Sequence, residues 1–88
     1  MFIIKTYKQF EKDLVLAKKR GRKIDKLWPI VELLQEYRPL SEKCRPHKLV
    51  GKWSNFWECH IESDWLLIYR YIDDYLELVR TGTHSDLF

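Results

Sequence analysis

All three histidines of this 88-residue chain, His47, His60 and His84, lie in its C-terminal half. The last belongs to the closing stretch Arg80-Thr81-Gly82-Thr83-His84-Ser85-Asp86-Leu87-Phe88, which puts a cation, a flexible turn, an imidazole and a terminal aromatic side by side. Glu58 and Asp64 supply carboxylates around His60. Imidazole is the side chain best placed to exchange protons near pH 7, and a nearby carboxylate holds an imidazolium in place. Arg80 can fork onto a phosphate. Phe88 offers a face on which a base can stack, worth about 1–3 kcal/mol. Two proton-transfer groups, a cation and a stacking platform are enough to cleave RNA without metal. The 2′-hydroxyl attacks the adjacent phosphate while a base takes its proton.

Each residue taken singly has a plainer explanation. A lone histidine is more often a surface or satisfied core group, a lone strand arginine more often forms a salt bridge, and Asp64 suits a turn. Metal binding is the competing chemistry, since His47, His60, His84 and Asp64 are all possible zinc ligands. No HExxH or CxxC spacing accompanies them, so the expectation is no metal and no cofactor.

These residues need elements to position them. Phe2–Thr6 is short, β-branched and apolar and reads as a first strand. Tyr7, Phe10, Leu14 and Ala17 fall at helical spacing and predict a helix over 7–20. Gly21 then stands where a left-handed helix stop belongs. Ile24, Leu27, Val31 and Leu34 predict a second helix over 24–37, with Asp25 as its N-cap and Pro29 tolerated near its first turn. Arg38–Pro46 has no period and reads as a loop from which His47 enters. Beyond it the period is two. Phe56, Glu58, His60 and Glu62 alternate against Trp57, Cys59 and Ile61, which places Glu58 and His60 on one strand face. Trp65–Ile72 is a near-continuous apolar strand suited to the middle of a sheet. Asp73-Asp74 links it to Tyr75–Arg80 as a hairpin. The order β-α-α-β-β-β predicts one α+β domain over 1–88, with two N-terminal helices packed on a mainly antiparallel sheet of about four strands.

Charge is divided unevenly. Residues 1–52 carry fourteen Lys/Arg against six Asp/Glu, and residues 53–88 carry two against seven. The basic half, with clusters at Lys18–Lys26 and at Lys43, Arg45, Lys48 and Lys52, suits a polyanion. No apolar run is long enough to span a membrane, and the N-terminus lacks the order of a signal peptide. Cys44 and Cys59 form no metal or disulfide pattern, which predicts a reduced, cytoplasmic protein, with Cys59 read as either inert packing or a redox-sensitive thiol.

At these residues the chain resembles the YafQ branch of the RelE/ParE toxin superfamily, ribosome-dependent mRNA interferases of bacterial type II toxin–antitoxin systems. The resemblance runs over essentially the whole chain and is densest in Pro46–Trp53, in Glu58–Trp65 with Leu67-Ile68-Tyr69, and in Arg80–Phe88. It implies a curved antiparallel sheet with two N-terminal helices, and cleavage of mRNA in the ribosomal A site without metal, leaving a 2′,3′-cyclic phosphate or its opened product. By the same resemblance His47, His60, Asp64, His84 and Phe88 match the catalytic and substrate-positioning set. Glu58 stands where an acid, often Asp, is found.

On that footing His84 and His60 share acid and base work, Asp64 orients a histidine and Arg80 steadies the phosphate. His47 assists proton transfer or binds phosphate, and Lys48 and Lys52 help bind substrate. The resemblance also implies a tightly bound cognate antitoxin, a monomeric free toxin and a hetero-oligomeric complex. Two rivals from other classes are a ParE-like inhibitor of DNA gyrase that cleaves nothing and an inactive relative that only binds an antitoxin.

Overall fold

The most apolar stretch of the sequence is the middle of the sheet. In the computed structural model, which describes residues 1–88, five strands are ordered β1-β5-β4-β3-β2. They are β1 (Ile3–Thr6), β2 (His47–Lys48), β3 (Trp57–Glu62), β4 (Trp65–Ile72) and β5 (Tyr75–Gly82). Strand β4 is central and buried on both faces, which is why its sequence shows no alternation. Strand β1 pairs with β5 in parallel, and every other pairing is antiparallel.

Two helices cover one face, α1 (Lys8–Lys19) and α2 (Leu27–Gln35). Phe10 from α1 and Leu27, Val31 and Leu34 from α2 share a core with Cys59, Trp65, Leu67, Tyr69, Leu76 and Leu78. Gly21 between the helices has φ +83°, the left-handed stop expected of it. Pro29 is the third residue of α2, where no intrahelical N–H is lost.

Four expectations are corrected. The sheet has five strands rather than four, because His47–Lys48 pairs with Glu58 and Trp57 at the edge. A two-residue strand leaves no period to read. The second helix begins at Leu27, since Ile24–Lys26 winds as a 3₁₀ turn and Asp25 caps nothing. A third helix, α3 (His84–Leu87), follows β5. Thr83 caps it, accepting the Asp86 N–H at 3.1 Å while the Asp86 carboxylate accepts the Thr83 N–H at 3.0 Å. Lastly, the alternation of β3 breaks at Ile61, where the register with β4 shifts. Glu62 therefore leaves the file of Glu58 and His60, and its carboxylate receives Arg22 at 3.1 Å and Lys26 at 2.8 Å.

The face away from α1 and α2 has a smaller core of Leu66, Ile68, Val79 and Leu87, flanked by Leu49, Trp53 and Phe56. The predicted chemical residues gather on this face. A second register shift beside Val79 sets Arg80 opposite Ile68, whose other neighbour is Glu58. No helix is long and apolar enough to cross a membrane.

Candidate active site

Five residues that the sequence scatters over 38 positions form one continuous row. Strand β2 pairs His47 with Glu58, and the His47 Nε2 lies 3.4 Å from Glu58 Oε1. The same oxygen is 3.9 Å from His60 Nε2. His60 and His84 bring their ring centroids to 5.9 Å. His84 Nδ1 then meets Asp64 Oδ1 at 2.8 Å, and the His84 backbone N–H donates to that oxygen at 3.0 Å. The row is thus His47, Glu58, His60, His84, Asp64.

Burial grades along it. Glu58 and His60 are 5% and 8% exposed, whereas His84 and Asp64 are 56% and 58% exposed. Hydrogen bonds to the His84 backbone and ring hold the Asp64 carboxyl below the usual aspartate range.

Backbone partners select the tautomers. His47 Nδ1 lies 2.9 Å from the Arg45 carbonyl, and His60 Nδ1 lies 3.3 Å from the Ser63 carbonyl. A carbonyl can only accept, so these Nδ1 atoms carry a proton and Nε2 is the atom of each ring left to exchange one. The Asp64 carboxylate imposes the same choice on His84.

Arg80 stands on the same face but not as a free cation. Its Nε and Nη2 donate to Asp13 of α1 at 2.8 and 3.2 Å, and the Thr81 N–H donates to that carboxylate at 3.1 Å. The remaining three N–H groups of the guanidinium have no protein partner and are available to a phosphate. Asp13, 6% exposed, is the functional residue that sequence reading missed. Its signal was an acid three residues after Phe10 and four before Ala17, on the buried stripe of α1.

Phe88 is exposed, with its ring 6.2 Å from Trp53 in an edge-on arrangement, and Trp53 packs edge-on against Phe56 at 5.5 Å. Trp53 therefore extends the aromatic surface that begins at Phe88. Lys48 and Lys52 are exposed beside His47 and Trp53. A groove of about 580 Å³ flanks the row, with Ser41, Lys43, Arg45, His60 and Ser63 in its lining. Cys59 is fully buried, and burial pushes its thiol far above the ordinary range, which fits inert packing.

Glu58, His60 and His84 also place ligand atoms within 4.8 Å of one another, close enough to hold one metal ion. No sequence spacing signals this trio, because β3 and α3 bring it together.

Arg20 donates to Asp86 at 2.7 Å, and this bond, with the Thr83 N–H, pulls the Asp86 carboxyl down to about 2. A depressed carboxyl contributes stability above its unfolded value, near 3.8, and loses it as the pH falls through the folded one. Anchoring of α3 should therefore weaken between about pH 4 and pH 2 and stay constant above, and Asp86→Asn should remove the larger part of that acid limb, leaving the part owed to Asp64. NMR signals of Leu87 followed against pH would check this.

Comparison with known proteins agrees with the geometry. The sequence matches the family described as bacterial toxin of type II toxin-antitoxin system, YafQ, over residues 2–88. It is 41% identical over 81 residues to the mRNA interferase toxin YafQ of Escherichia coli K12, covering 91% of this chain and 88% of that protein. A copper-bound mutant toxin from Helicobacter pylori superposes with a TM-score of 0.96 at 38% identity, with 100% of both chains covered. The toxin of the E. coli DinJ–YafQ toxin–antitoxin complex superposes with a TM-score of 0.90 at 39% identity, covering 99% of this chain and 97% of that one.

Proposed function

Since the chain belongs to the YafQ family of type II toxin–antitoxin toxins, we propose that it cleaves mRNA on the ribosome with imidazoles as its acid and base. The observation that carries this reading is the row itself, in which His60 and His84 face each other and Asp64 holds the outer ring. One imidazole Nε2 takes the 2′-hydroxyl proton, the 2′-oxygen bonds to phosphorus, and the second imidazole returns a proton to the departing 5′-oxygen. The products are a 2′,3′-cyclic phosphate and a 5′-hydroxyl, with no change of oxidation state. The free donors of Arg80 stabilise charge on the non-bridging oxygens. Glu58 stands between His47 and His60, so it stabilises whichever ring is protonated at Nε2. His47 assists proton transfer or binds phosphate, and Lys48 and Lys52 guide the backbone.

By analogy with the DinJ–YafQ complex, a cognate antitoxin forms a hetero-oligomer with the otherwise monomeric toxin and silences it in the cytoplasm. The chemistry is tested by analysing the ends of RNA cleaved on ribosomes kept in magnesium, with a chelator selective for transition metals present. A 2′,3′-cyclic phosphate opposite a 5′-hydroxyl is expected, and 3′-hydroxyl with 5′-phosphate ends would rule out attack by the 2′-oxygen.

Phe88 and Trp53 form the wall on which a base stacks. Loss of one stacking contact costs about 1–3 kcal/mol, so Phe88→Ala should lower kcat/KM by roughly 5- to 150-fold with an unchanged melting temperature. Activity within twofold of the parent would remove the stacking role.

The trio of Glu58, His60 and His84 supports a second capacity, since it could hold one metal ion, imidazole suits copper among other metals, and a mutant of a relative is copper-bound. Copper(II) there would occupy the lone pairs that proton transfer requires. With magnesium present to keep ribosomes intact, cleavage should proceed in a chelator selective for transition metals and fall when copper(II) is added in excess of it. A requirement for an added transition metal would contradict imidazole catalysis.

A further inference from the structure

The bond between His84 and Asp64 is short, yet both side chains are more than half exposed, so packing does not keep them together. They also belong to separate arms, Asp64 to the β3–β4 turn and His84 to α3. Both arms are gripped from one place, the link between α1 and α2. Arg20 donates through Nη1 and Nη2 to Asp86, the third residue of α3, at 2.7 and 3.3 Å. Arg22 donates to the backbone carbonyl of Asp64 at 3.1 Å and to Glu62 at 3.1 Å, with its guanidinium 5.6 Å from the centre of the Trp65 ring. Gly21 between them is left-handed, the kink that sends neighbouring arginines to different arms. At Gly82, where β5 meets α3, an added Cβ would lie 2.9 Å from an Asp86 oxygen, so the Arg20 arm is closely fitted on its far side too.

We propose that Arg20 and Arg22 are positioning residues of the cleavage reaction, bracing the two arms so that Asp64 stays within hydrogen-bond reach of His84. This rests on the catalytic reading of that couple. Exposed ion pairs add little to global stability, whereas a displacement of about 1 Å at a reacting group can cost on the order of a hundredfold in rate. The brace should therefore register in turnover rather than in folding. The alternative is that both arginines only add to the basic surface that attracts a polyanion.

Single-turnover cleavage on programmed ribosomes separates the two. Arg20→Ala and Asp86→Asn should each lower the rate at saturation about tenfold, with half-saturation little changed. The double variant should be no slower than either single one, and Arg20→Lys should recover part of the loss. Arg22→Ala should behave likewise. Hydrogen exchange supplies a readout that a general loss of stability would not give. The His84 amide, bonded to Asp64 at 3.0 Å, should exchange faster in Arg20→Ala and Arg22→Ala, while the amides of Leu67 and Leu78 stay slow. A rise in half-saturation alone for Arg20→Ala, with Asp86→Asn at parental rate, would overturn the brace, as would unchanged exchange at His84. His84→Ala run alongside distinguishes the failures. Loss of cleavage there with none in the arginine variants removes the brace and leaves the catalytic reading standing.

Discussion

Replacing His84 by alanine should lower mRNA cleavage by about 10²–10⁴-fold, the usual contribution of a positioned acid or base, while the protein remains folded. The His84 side chain is 56% exposed and belongs to neither core. Helix α3 keeps its Thr83–Asp86 capping box and its buried Leu87. Asp64 also keeps the backbone N–H at position 84, so the β3–β4 turn retains one of its two bonds to α3. What disappears is one Nε2 beside His60. Rates with and without the substitution, at saturating ribosome and with a melting curve for each protein, measure the effect. A folded variant cleaving within twofold of the parent would exclude His84 from the chemistry.

Asp13→Ala should be the most destabilising of the polar substitutions. The carboxylate is 6% exposed and accepts from four donors, two on Arg80, the Gln9 side-chain amide and the backbone N–H of Thr81 on the part of β5 that β1 leaves unpaired. Removing it strands a partly buried charge and an edge N–H together. Breaking such a pair costs about 3 kcal/mol, which for a domain of this size lowers Tm by roughly 12–24 °C. Arg80 would also lose the anchor that aims its free donors, so the surviving folded protein should turn over more slowly. Removing both partners should destabilise less than removing Asp13 alone, because the stranded charge goes with Arg80. Thermal unfolding of Asp13→Ala, Arg80→Ala and the double variant decides it, and a drop under about 3 °C for Asp13→Ala would show that the pair is merely superficial.

The α+β class, both N-terminal helices and the three long antiparallel strands could be read from period and turns because each depends on local pattern. Gly21 and Pro29 stand where such residues belong, Asp64 lies in a turn as expected, and the two-residue link at Asp73-Asp74 survives intact. The errors have a common cause. Strand β2 exists only because Glu58 and Trp57 are there to pair with it. The bulge at Ile61, which turns Glu62 toward Arg22 and Lys26, leaves no mark on the alternation itself. Helix α3 is four residues long, too short for a period, although its Thr83-x-x-Asp86 box was there to be seen. At the site, types and rough placement of the histidines and acids were legible. The binding of Arg80 by Asp13 was not, since it joins positions 67 apart across the open edge of β5.

Mapping 5′ ends of mRNA on translating ribosomes, with the parent protein and His84→Ala compared in the same reaction, decides whether this protein is an imidazole nuclease of the ribosome. Cleavage on the ribosome by imidazole chemistry predicts cuts that keep phase with codons, that vanish when ribosomes are omitted, and that are lost in His84→Ala. Growth arrest with intact mRNA, or cuts without codon phase on naked RNA, would contradict it.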